Sequence, residues 1–473
     1  MSRQYKLFVG QKIREIRQEA GLTQAEFAQR LGISNSYFNQ IENNQRHVTA
    51  AVMLALAADF GVDIARLSGD DGERLLADLN EVLADPVFAG QMPSLHEIKL
   101  VTQNAPGFVH ALMAMHSGLK KAGEQLAELD SSIVSGGGNV APTAYEEVRD
   151  FFHYQDNYID ALDLAAEALA GAVEELGGNP VERFKARLWK AHGVTVMLER
   201  AATDPLMVRR YDPVARQLRL NATTPTATQA FQLGFQIALL EQRAVIDEII
   251  AAAGFRTEEA ADICVIGLAN YFAGALLLPY GAFAGTARSV RNDIDALASM
   301  FGASLEQVAH RLSTLQRPGK KGVPFFFAKL DQAGNITKRH SATKLQFARF
   351  GAACPLWNAH KAFETPNRIL RQLAETPDGI RYISIAIEAP DRPGSYGAPV
   401  RRFALAMGCE MKHADQFVYA DDLDVHNPDL FEPIGVSCRI CERPDCIQRA
   451  VPPSHAHLHI DPDNRMLLPY RLS

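Results

Sequence analysis

The chain has 473 residues, of which 47% are hydrophobic and 22% are charged, and its formal net charge is −7. This length is too great for one hydrophobic core, so we expect three or four domains, and the ordinary composition excludes a disordered or fibrous protein. The sequence shows no uninterrupted apolar run of membrane-spanning length and no apolar run at its amino end. These features predict a cytoplasmic protein with no membrane partner.

The first predicted motif is a helix-turn-helix at residues 21–42. Thr23 and Glu26 have the spacing of a capping box that begins one helix, and Gly32 can supply the left-handed residue that ends it. Ser34 is a good cap for a second helix, whose buried side includes Phe38. The opposite face of this second helix is then free to contact a partner.

That outward face carries short, uncharged side chains with hydrogen-bonding groups. In the major groove, amides can contact both edges of an adenine, while hydroxyls can contact phosphates. The predicted contacts to double-stranded DNA are Gln24, Ser34, Asn35, Ser36, Tyr37, Asn39, Gln40 and Arg46. Residues 1–50 hold seven Lys and Arg against four Glu, whereas the rest of the chain is acidic. This distribution favours a protein that holds DNA at one end only.

The pattern LTQ..FA..LGIS......IE resembles the lambda-repressor-like, XRE-type DNA-binding domain, which we place at residues 1–70. The resemblance implies an internal salt bridge between Arg17 and Glu42, so both are interpreted as structural. The sequence departs from these relatives at His47, where a proline is expected. The alternative is an ordinary helical bundle with a solvated polar face.

Residues 71–143 are predicted to form a helical connector that ends in a glycine-rich linker at 131–143. Helices on both sides of this linker have apolar faces to bury. They can join two subunits of a homodimer or pack within one chain, and the sequence leaves both open. We favour a homodimer because helix-turn-helix repressors usually bind two half-sites about one turn of DNA apart.

The next domain, residues 144–316, resembles the IrrE and ImmA zinc metallopeptidases. A strand pair at 206–221 and an apolar helix at 227–241 precede LANYFAGALLLP at 268–279, which matches the family motif A-N-x-F-A-x-x-L-L-x-P. A short second helix-turn-helix pattern at 293–312 is assigned to this scaffold and not to DNA binding.

The metal-binding motif of that family is absent. The five HExxH positions read QLGFQ from Gln232 to Gln236, and Ile266 and Leu268 stand where an acidic ligand is expected. Zinc requires imidazole or carboxylate ligands, and its water requires a carboxylate base. We therefore predict a peptidase scaffold that is not an enzyme; the alternative is that an amphipathic helix resembles a peptidase by accident.

Residues 317–473 are predicted to form an α/β sensor-like domain. A hairpin at 324–342 and strands at 381–389 and 401–408 follow from alternating apolar residues. Basic side chains concentrate near aromatic ones, which suits a ligand with phosphates at one end and a short apolar tail at the other. The predicted ligand-binding residues are Phe325, Phe326, Lys338, Arg339, Lys344, Arg349 and Trp357. The alternative is a solvated basic strand face beside an aromatic core.

Three cysteines, Cys438, Cys441 and Cys446, have the C-x2-C-x4-C spacing. Two thiolates two residues apart can bind zinc or iron, and a complete site requires a fourth ligand. The candidates for that ligand, which spacing cannot rank, are Cys354, Cys409, His455, His457 and His459. A bound metal such as zinc, free structural thiols and an iron–sulfur cluster all remain open, in that order of preference.

Taken together, this order of domains, with CPLW at 354–357 and CRICERPDCIQRA at 438–450, resembles the short-chain fatty acyl-coenzyme A regulators. The resemblance covers nearly the whole chain. It implies a multidomain, mainly α protein with α/β parts that regulates acetate or propionate metabolism. It also implies an operator affinity that responds to acetyl- or propionyl-coenzyme A. The alternatives are a redox- or metal-responsive transcription factor using the cysteine cluster and, less favoured, a metallopeptidase.

Overall fold

The computed structural model divides the chain into two compact units, residues 1–126 and 127–473. The described residues are 10–43, 46, 48–60, 75, 79, 82–83, 86–88, 93–116, 118–119, 143–200, 207–343, 345, 353–389, 400–438, 441, 443–453, 457–464 and 466–472. Apart from Thr143, the predicted glycine-rich linker lies outside them. The predicted domain boundaries at 70, 143 and 316 remain predictions.

The first unit begins with the predicted helix-turn-helix. Its helices are α1 (Gly10–Glu19), α2 (Gln24–Arg30), α3 (Asn35–Glu42) and α4 (Ala50–Phe60). The capping box is confirmed, because the Glu26 N–H donates to the Thr23 hydroxyl and the Thr23 N–H donates to the Glu26 carboxylate. Ser34 caps α3 by accepting the Tyr37 N–H at 3.2 Å. Between the helices, Gly32 has a φ of +66°, which glycine adopts without strain.

An aromatic core holds these helices together. Phe27 of α2 and Phe38 of α3 are fully buried, with ring centroids 5.1 Å apart. Phe27 also stacks on Phe60 of α4 at 4.3 Å. Burying one such ring stabilises a domain by roughly 1.5–3 kcal/mol, so the position of α3 is set by its buried face while its other face stays available.

The remainder of the first unit is helical where it is described. It contains a short 3-10 helix (Pro86–Phe88), α5 (Leu95–Asn104) and a further helical stretch at 106–116. A separate small core is formed by Leu75, Leu79, Leu83, Ile98 and Val109. Large apolar side chains outside this core remain exposed, among them Phe108 at 67% and Met115 at 68%.

The second unit combines a helical half with two larger sheets and a small terminal hairpin. Its helices are α6 (Ala144–Tyr154), α7 (Asp160–Glu174), α8 (Pro180–His192), α9 (Thr226–Glu241), α10 (Arg243–Ala253), α11 (Glu258–Leu277), α12 (Tyr280–Ser289), α13 (Ile294–Phe301), α14 (Leu305–Ser313) and α15 (Asn358–Lys361). Three short 3-10 helices follow the last long strand, at Met411–Gln416, Val418–Ala420 and Pro428–Leu430.

The central element of the helical half is α11, which packs against α6, α7, α9 and α10. A Cβ atom added at Gly234 of α9 would lie 3.3 Å from the Cα atom of Ala273, so the two helices approach closely at this point. Among the described helices, α11 alone has the length and hydropathy of a membrane span. More than half of its most apolar window is buried against the neighbouring helices, as expected of a core helix.

A buried ionic network ties α7 to α14 and to the segment that leads into the large sheet. Asp163 is fully buried and accepts hydrogen bonds from Arg311 at 2.7 Å, Arg317 at 2.9 Å and the Tyr271 hydroxyl at 2.7 Å. Burial alone would raise the pKa of Asp163, but Arg311, Tyr271 and Arg317 hold it below its ordinary value. Because removal of one partner would leave a buried charge unpaired, we interpret this network as structural.

A small sheet has the strand order β1-β3-β2, with β1 (Thr195–Glu199), β2 (Arg209–Asp212) and β3 (Gln217–Asn221). The hairpin of β2 and β3 confirms the predicted strand pair, whereas β1, which pairs with β3 in parallel, was not predicted. The exposed pattern of β1 lacks the alternation on which strand prediction depends.

The large sheet has six strands in the order β5-β4-β8-β7-β6-β9. They are β4 (Phe326–Asp331), β5 (Ile336–Ser341), β6 (Leu370–Glu375), β7 (Arg381–Glu388), β8 (Phe403–Glu410) and β9 (Glu432–Pro433). All pairs are antiparallel except β6 with β9. A short hairpin, β10 (Leu458–His459) and β11 (Arg471–Leu472), lies apart. The predicted hairpin and the strands at 381–389 and 401–408 are confirmed, as is the mainly α fold with α/β parts.

Both faces of the large sheet are buried. One face, which includes Phe327 and Met407, belongs to the same core as the helices of the unit. The other face, which includes Phe326 and Tyr382, packs against Trp357 in a second core. The sheet therefore brings β5 to the edge of the helical half while its far side supports the cysteine-containing segments.

Candidate functional site

The outward face of α3 has the arrangement predicted for a DNA-reading helix. Asn35, Ser36 and Asn39 are exposed, while Phe38 and Ile41 are buried. The Asn39 side-chain oxygen accepts a hydrogen bond from Asn43 at 2.8 Å, which leaves its amide donors directed away from that contact. The amide groups are thus on a rigid helix, which the core holds in place.

The other predicted DNA contacts are placed around this face. Tyr37 and Gln40 are partly exposed, and the Arg46 guanidinium lies over the Tyr37 ring at 5.3 Å. The Gln24 amide donates to the carboxylate of Glu42 at 2.5 Å, and the Ser34 hydroxyl is used as the cap of α3. These two side chains thus have structural partners within the domain, and their contact with DNA remains a prediction.

The salt bridge implied by the resemblance is present. Arg17 Nε donates to Glu42 Oε1 at 2.6 Å, and Glu42 is only 3% exposed. The Arg17 side chain also donates to the Leu22 carbonyl at 3.0 Å. These contacts fix α1 against α3 and leave neither residue available for a ligand.

The second unit encloses a cavity of about 530 Å³, within the range for small-molecule sites. It lies between α6, α9, α11 and α14 and is bordered by β5. One part of its wall is apolar, with Phe231, Gly274 and Ala275. Another part is cationic, with Arg149 and Arg339.

Arg149, on the cationic wall, has hydrogen-bonding capacity that no described residue uses. Nε and Nη2 of Arg149 are buried and lack a hydrogen-bond partner among the described residues, although Nη2 lies 4.0 Å from a Glu146 carboxylate oxygen. Burial lowers the pKa of Arg339 and the positive charge of Arg149 lowers it further, while the carboxylates of Asp150 and Glu146 raise it in part. Two like charges held beside one cavity favour an anionic ligand between them.

A third cation and one carboxylate also line the cavity. Lys338 lies 3.9 Å from Glu306, which accepts a closer hydrogen bond from Lys329 at 2.7 Å. Burial would raise the pKa of Glu306, but Lys338 and Lys329 hold it below its ordinary value. Of the residues predicted to bind a ligand, the structure thus brings Lys338 and Arg339 to the cavity.

The predicted aromatic ligand contacts lie elsewhere. Phe325 is fully buried against Phe417, with ring centroids 5.1 Å apart. Phe326 and Trp357 belong to the core on the far face of the sheet, where the Trp357 indole N–H donates to the Gly435 carbonyl at 3.0 Å. None of these three side chains lines the cavity. Lys344 and Arg349 lie outside the described residues.

Sequence reasoning missed most of the cavity wall. Arg149, Asn270 and His310 line it, and they come from three separate helices. Asn270 carries a sequence signal, because it is a polar residue within the apolar run of α11. Burial lowers the pKa of His310 well below its ordinary value, so its ring is neutral at pH 7.

At the position of the lost peptidase motif, the residues do not fit a zinc ion. Gln236, at the second histidine position, is buried, and its side-chain oxygen accepts a hydrogen bond from Arg209. The Arg209 guanidinium also stacks over the Phe235 ring at 4.3 Å. A guanidinium repels a metal cation and a neutral amide is a poor zinc ligand, so these residues support no metal-dependent step.

The predicted cysteine cluster gains a fourth member in the structure. Cys354, Cys438, Cys441 and Cys446 line one small cavity of about 10 Å³, together with Gly435. Burial raises the pKa of Cys354, and Cys438 and Cys446 raise it further. Within the described parts of the chain, no three His, Cys, Asp or Glu side chains are arranged as a metal-ligand set as they stand. Cys409 is buried in the helical core instead, and His455 is outside the described residues.

Three family models match successive parts of the chain. Residues 13–67 match a helix-turn-helix, and residues 189–313 match the IrrE N-terminal-like domain. Residues 314–470 match the C-terminal domain of the short-chain fatty acyl coenzyme A regulators. These matches confirm the domain types that the sequence motifs predicted.

Full-length relatives are bacterial transcription regulators. The propionyl-CoA carboxylase regulator of Cereibacter sphaeroides is 52% identical over 99% of both chains. The HTH-type transcriptional regulators RamB and PrpR of Mycobacterium tuberculosis are 38% and 39% identical, covering 98% of this chain and 98% and 95% of their own lengths. A solved Mycobacterium tuberculosis transcriptional regulator, 40% identical, superposes with a TM-score of 0.67 over 70% of this chain and all of that chain.

Proposed function

The chain belongs to the short-chain fatty acyl coenzyme A regulator family, and from that premise we propose that it changes its affinity for operator DNA when it binds a short acyl-coenzyme A. It is a DNA-binding transcriptional regulator related to regulators of propionate and acetate metabolism. The effector is acetyl- or propionyl-coenzyme A, and the protein acts in the cytoplasm as a homodimer without peptidase activity.

The cavity of the second unit is the observation that carries this proposal. Its volume of about 530 Å³ is large enough for much of a coenzyme A thioester. Arg149 and Arg339 supply guanidinium donors for phosphate oxygens at one part of the wall, with Lys338 as a further cation. Phe231 supplies apolar surface of the kind that a short acyl group requires.

The exposed face of α3 supports the DNA-binding half of the proposal. Asn35 is exposed in the first turn of α3 and Gln40 is partly exposed about 7.5 Å farther along its axis, so both amides are accessible to a DNA groove. The exposed apolar side chains of the connector, Phe108, Met115 and Leu119, support a homodimer, because a second copy would cover them. Two α3 helices would then bind the two half-sites of an operator.

The proposed mechanism is thermodynamic linkage between the two sites. Acyl-coenzyme A changes operator affinity only if it binds one arrangement of the protein more tightly than another. The cavity suits this role because α6, α14 and β5, which come from distant parts of the chain, each contribute a wall. A ligand that draws Arg149 and Arg339 toward a shared phosphate alters the spacing of these elements.

The decisive experiment is the thermal stability of the full-length protein with coenzyme A thioesters, free coenzyme A and free short-chain acids. A ligand at one hundred times its Kd stabilises the native state by about 2.7 kcal/mol, so a short acyl-coenzyme A should raise the Tm. Arg149→Gln should abolish the increase. The matched control Arg243→Gln, at an exposed i,i+4 ion pair with Asp247, should retain it. No increase with any thioester would refute the proposal.

The cysteine cluster supports a second candidate, a metal- or redox-responsive factor. Four thiols lining one cavity can close around zinc or an iron–sulfur cluster when thiolates form. Metal analysis and visible spectroscopy of anaerobically purified protein separate the occupants: colour with iron indicates a cluster, and colourless zinc indicates a structural site. Protein without either metal would reduce the four residues to structural thiols.

A further inference from the structure

Along α11, the cavity has one end near charged groups and another end that is apolar. Near the charged end, a Cβ atom added at Gly267 would lie 2.7 Å from a ring carbon of Phe152. Phe152 is one helical turn from Arg149 on α6. The positive charge of Arg149 is close enough to Arg339 to lower the pKa of that guanidinium. The segment of α11 around Gly267 therefore borders the cationic part of the cavity.

Two turns farther along the same face, α11 borders a different wall. Gly274 lies about 10 Å from Gly267 along the helix axis, at 1.5 Å per residue. Here the nearest atom to an added Cβ is a ring carbon of Phe231, at 3.9 Å. Ala275 also lines this end. A separation of this size allows phosphates and an apolar tail to bind at opposite ends of one cavity.

The two glycines differ in the space that lies where a side chain would be. At Gly267 the Phe152 ring occupies the space above the backbone, so the glycine serves a contact within the protein. At Gly274 a distance of 3.9 Å is ordinary van der Waals separation, so the space above the backbone is open to the cavity. Neither glycine has a positive φ, so backbone conformation is not the reason for either.

We propose that Gly274 and Phe231 form the acyl-binding end of the cavity and that the missing side chain at Gly274 sets the length of aliphatic acyl group that the regulator accepts. This inference rests on the proposed function and specifies which part of the ligand each end takes. The occupant of this end is the uncharged aliphatic chain of a few carbons, because Phe231 and Ala275 offer phenyl and methyl surface. The Arg311 guanidinium also lines the cavity, but its donors are used by Asp163 and the Leu278 carbonyl. The phosphates are held by Arg149 and Arg339 at the other end.

A methyl group at position 274 tests the inference without disturbing the protein. Gly274→Ala places the new atom in ordinary contact with Phe231 and takes one methyl volume from the cavity. In a hydrophobic pocket one methylene changes discrimination about 10- to 200-fold. We expect the affinity for the longest acyl-coenzyme A that binds wild type to fall at least about tenfold, while the affinity for free coenzyme A is unchanged.

Isothermal titration of the full-length protein with free, acetyl-, propionyl-, butyryl- and hexanoyl-coenzyme A measures this effect. The matched control is Gly285→Ala, on an exposed helical position with no atom within 4 Å of the added methyl, which should keep wild-type ratios. Phe231→Ala should instead extend binding to a longer acyl chain. Wild-type ratios of affinity in both Gly274→Ala and Phe231→Ala would overturn the inference, whereas no binding of any thioester to wild type would refute the proposed function itself.

Discussion

Single residues show which contacts sequence patterns can predict and which they cannot. The pairing of Arg17 with Glu42 follows from a motif and is present at 2.6 Å. For Phe325 and Phe326 no motif indicates which of them faces a ligand. Successive residues of a strand point to opposite faces, and here both faces are buried, so an aromatic run shows that a strand is central but not which residue meets a ligand.

His340 provides a residue-scale prediction about pH. Its ring is 3% exposed, and burial lowers its pKa to about 3. The unfolded chain, with an ordinary histidine pKa near 6.5, binds this proton first. Stability should therefore fall by about 1.4 kcal/mol per pH unit from this residue as pH decreases from about 6.5 toward 3.

Urea unfolding of wild type and His340→Phe between pH 7 and pH 5 checks this prediction. The substitution removes the titrating group while filling a similar volume, so the difference in unfolding free energy between the two proteins should shift in favour of the variant as pH decreases. Carboxylates titrate in both proteins and cancel in the difference. A difference that stays constant with pH would show that His340 binds its proton equally in both states.

At the scale of elements, helices with defined ends were the most predictable. The caps at Thr23 and Ser34 fixed α2 and α3 because hydrogen bonds to helix-start N–H groups require particular side chains at particular spacing. β6 was missed, although its residues at 370–375 are largely buried. Its sequence LRQLAE mixes polar and apolar residues without alternation, and its Gln372 is buried only because Leu356 and Glu432 accept its amide hydrogens.

The prediction that α3 recognises the base sequence can be tested by changing side chains on its exposed face. Asn35→Ala combined with Gln40→Ala should remove discrimination between operator and random DNA, because each good bidentate contact to a base contributes roughly 1–3 kcal/mol of discrimination. Weak, salt-dependent binding should remain, since phosphate contacts are retained. Gln29→Ala, an exposed amide on α2, is the matched control and should bind normally. An unchanged sequence preference in the double variant would place the reading surface elsewhere.

At the scale of the whole molecule, the order of domain types was readable but the location of the cavity was not. The peptidase-like part was predicted at 144–316 and the sensor part at 317–473, and all the residues predicted to contact a ligand were in the sensor part. The cavity takes Thr337, Lys338 and Arg339 from the latter and the rest of its wall from the former. A site assembled across a predicted boundary leaves no local signature, because its residues come from five separate segments spread between positions 145 and 339.

The whole-molecule prediction concerns reciprocity between the two ligands. If acyl-coenzyme A changes operator affinity by some factor, operator DNA must change acyl-coenzyme A affinity by the same factor, and couplings of this kind are typically about 5- to 150-fold. Fluorescence anisotropy with labelled operator and titration calorimetry with the thioester measure the two factors independently. Non-cognate DNA of equal length is the control. Two factors that disagree, or a value of one for both, would exclude linkage as the mechanism.

The contact between Arg209 and Gln236 has a consequence for how this part of the molecule is made. A metallopeptidase with this scaffold has a complete site only after it binds a metal ion. In this chain the positive charge beside α9 is the guanidinium of Arg209, which is part of the polypeptide itself. The contact of Arg209 with Gln236 therefore forms from the chain's own residues, without an ion from the surroundings.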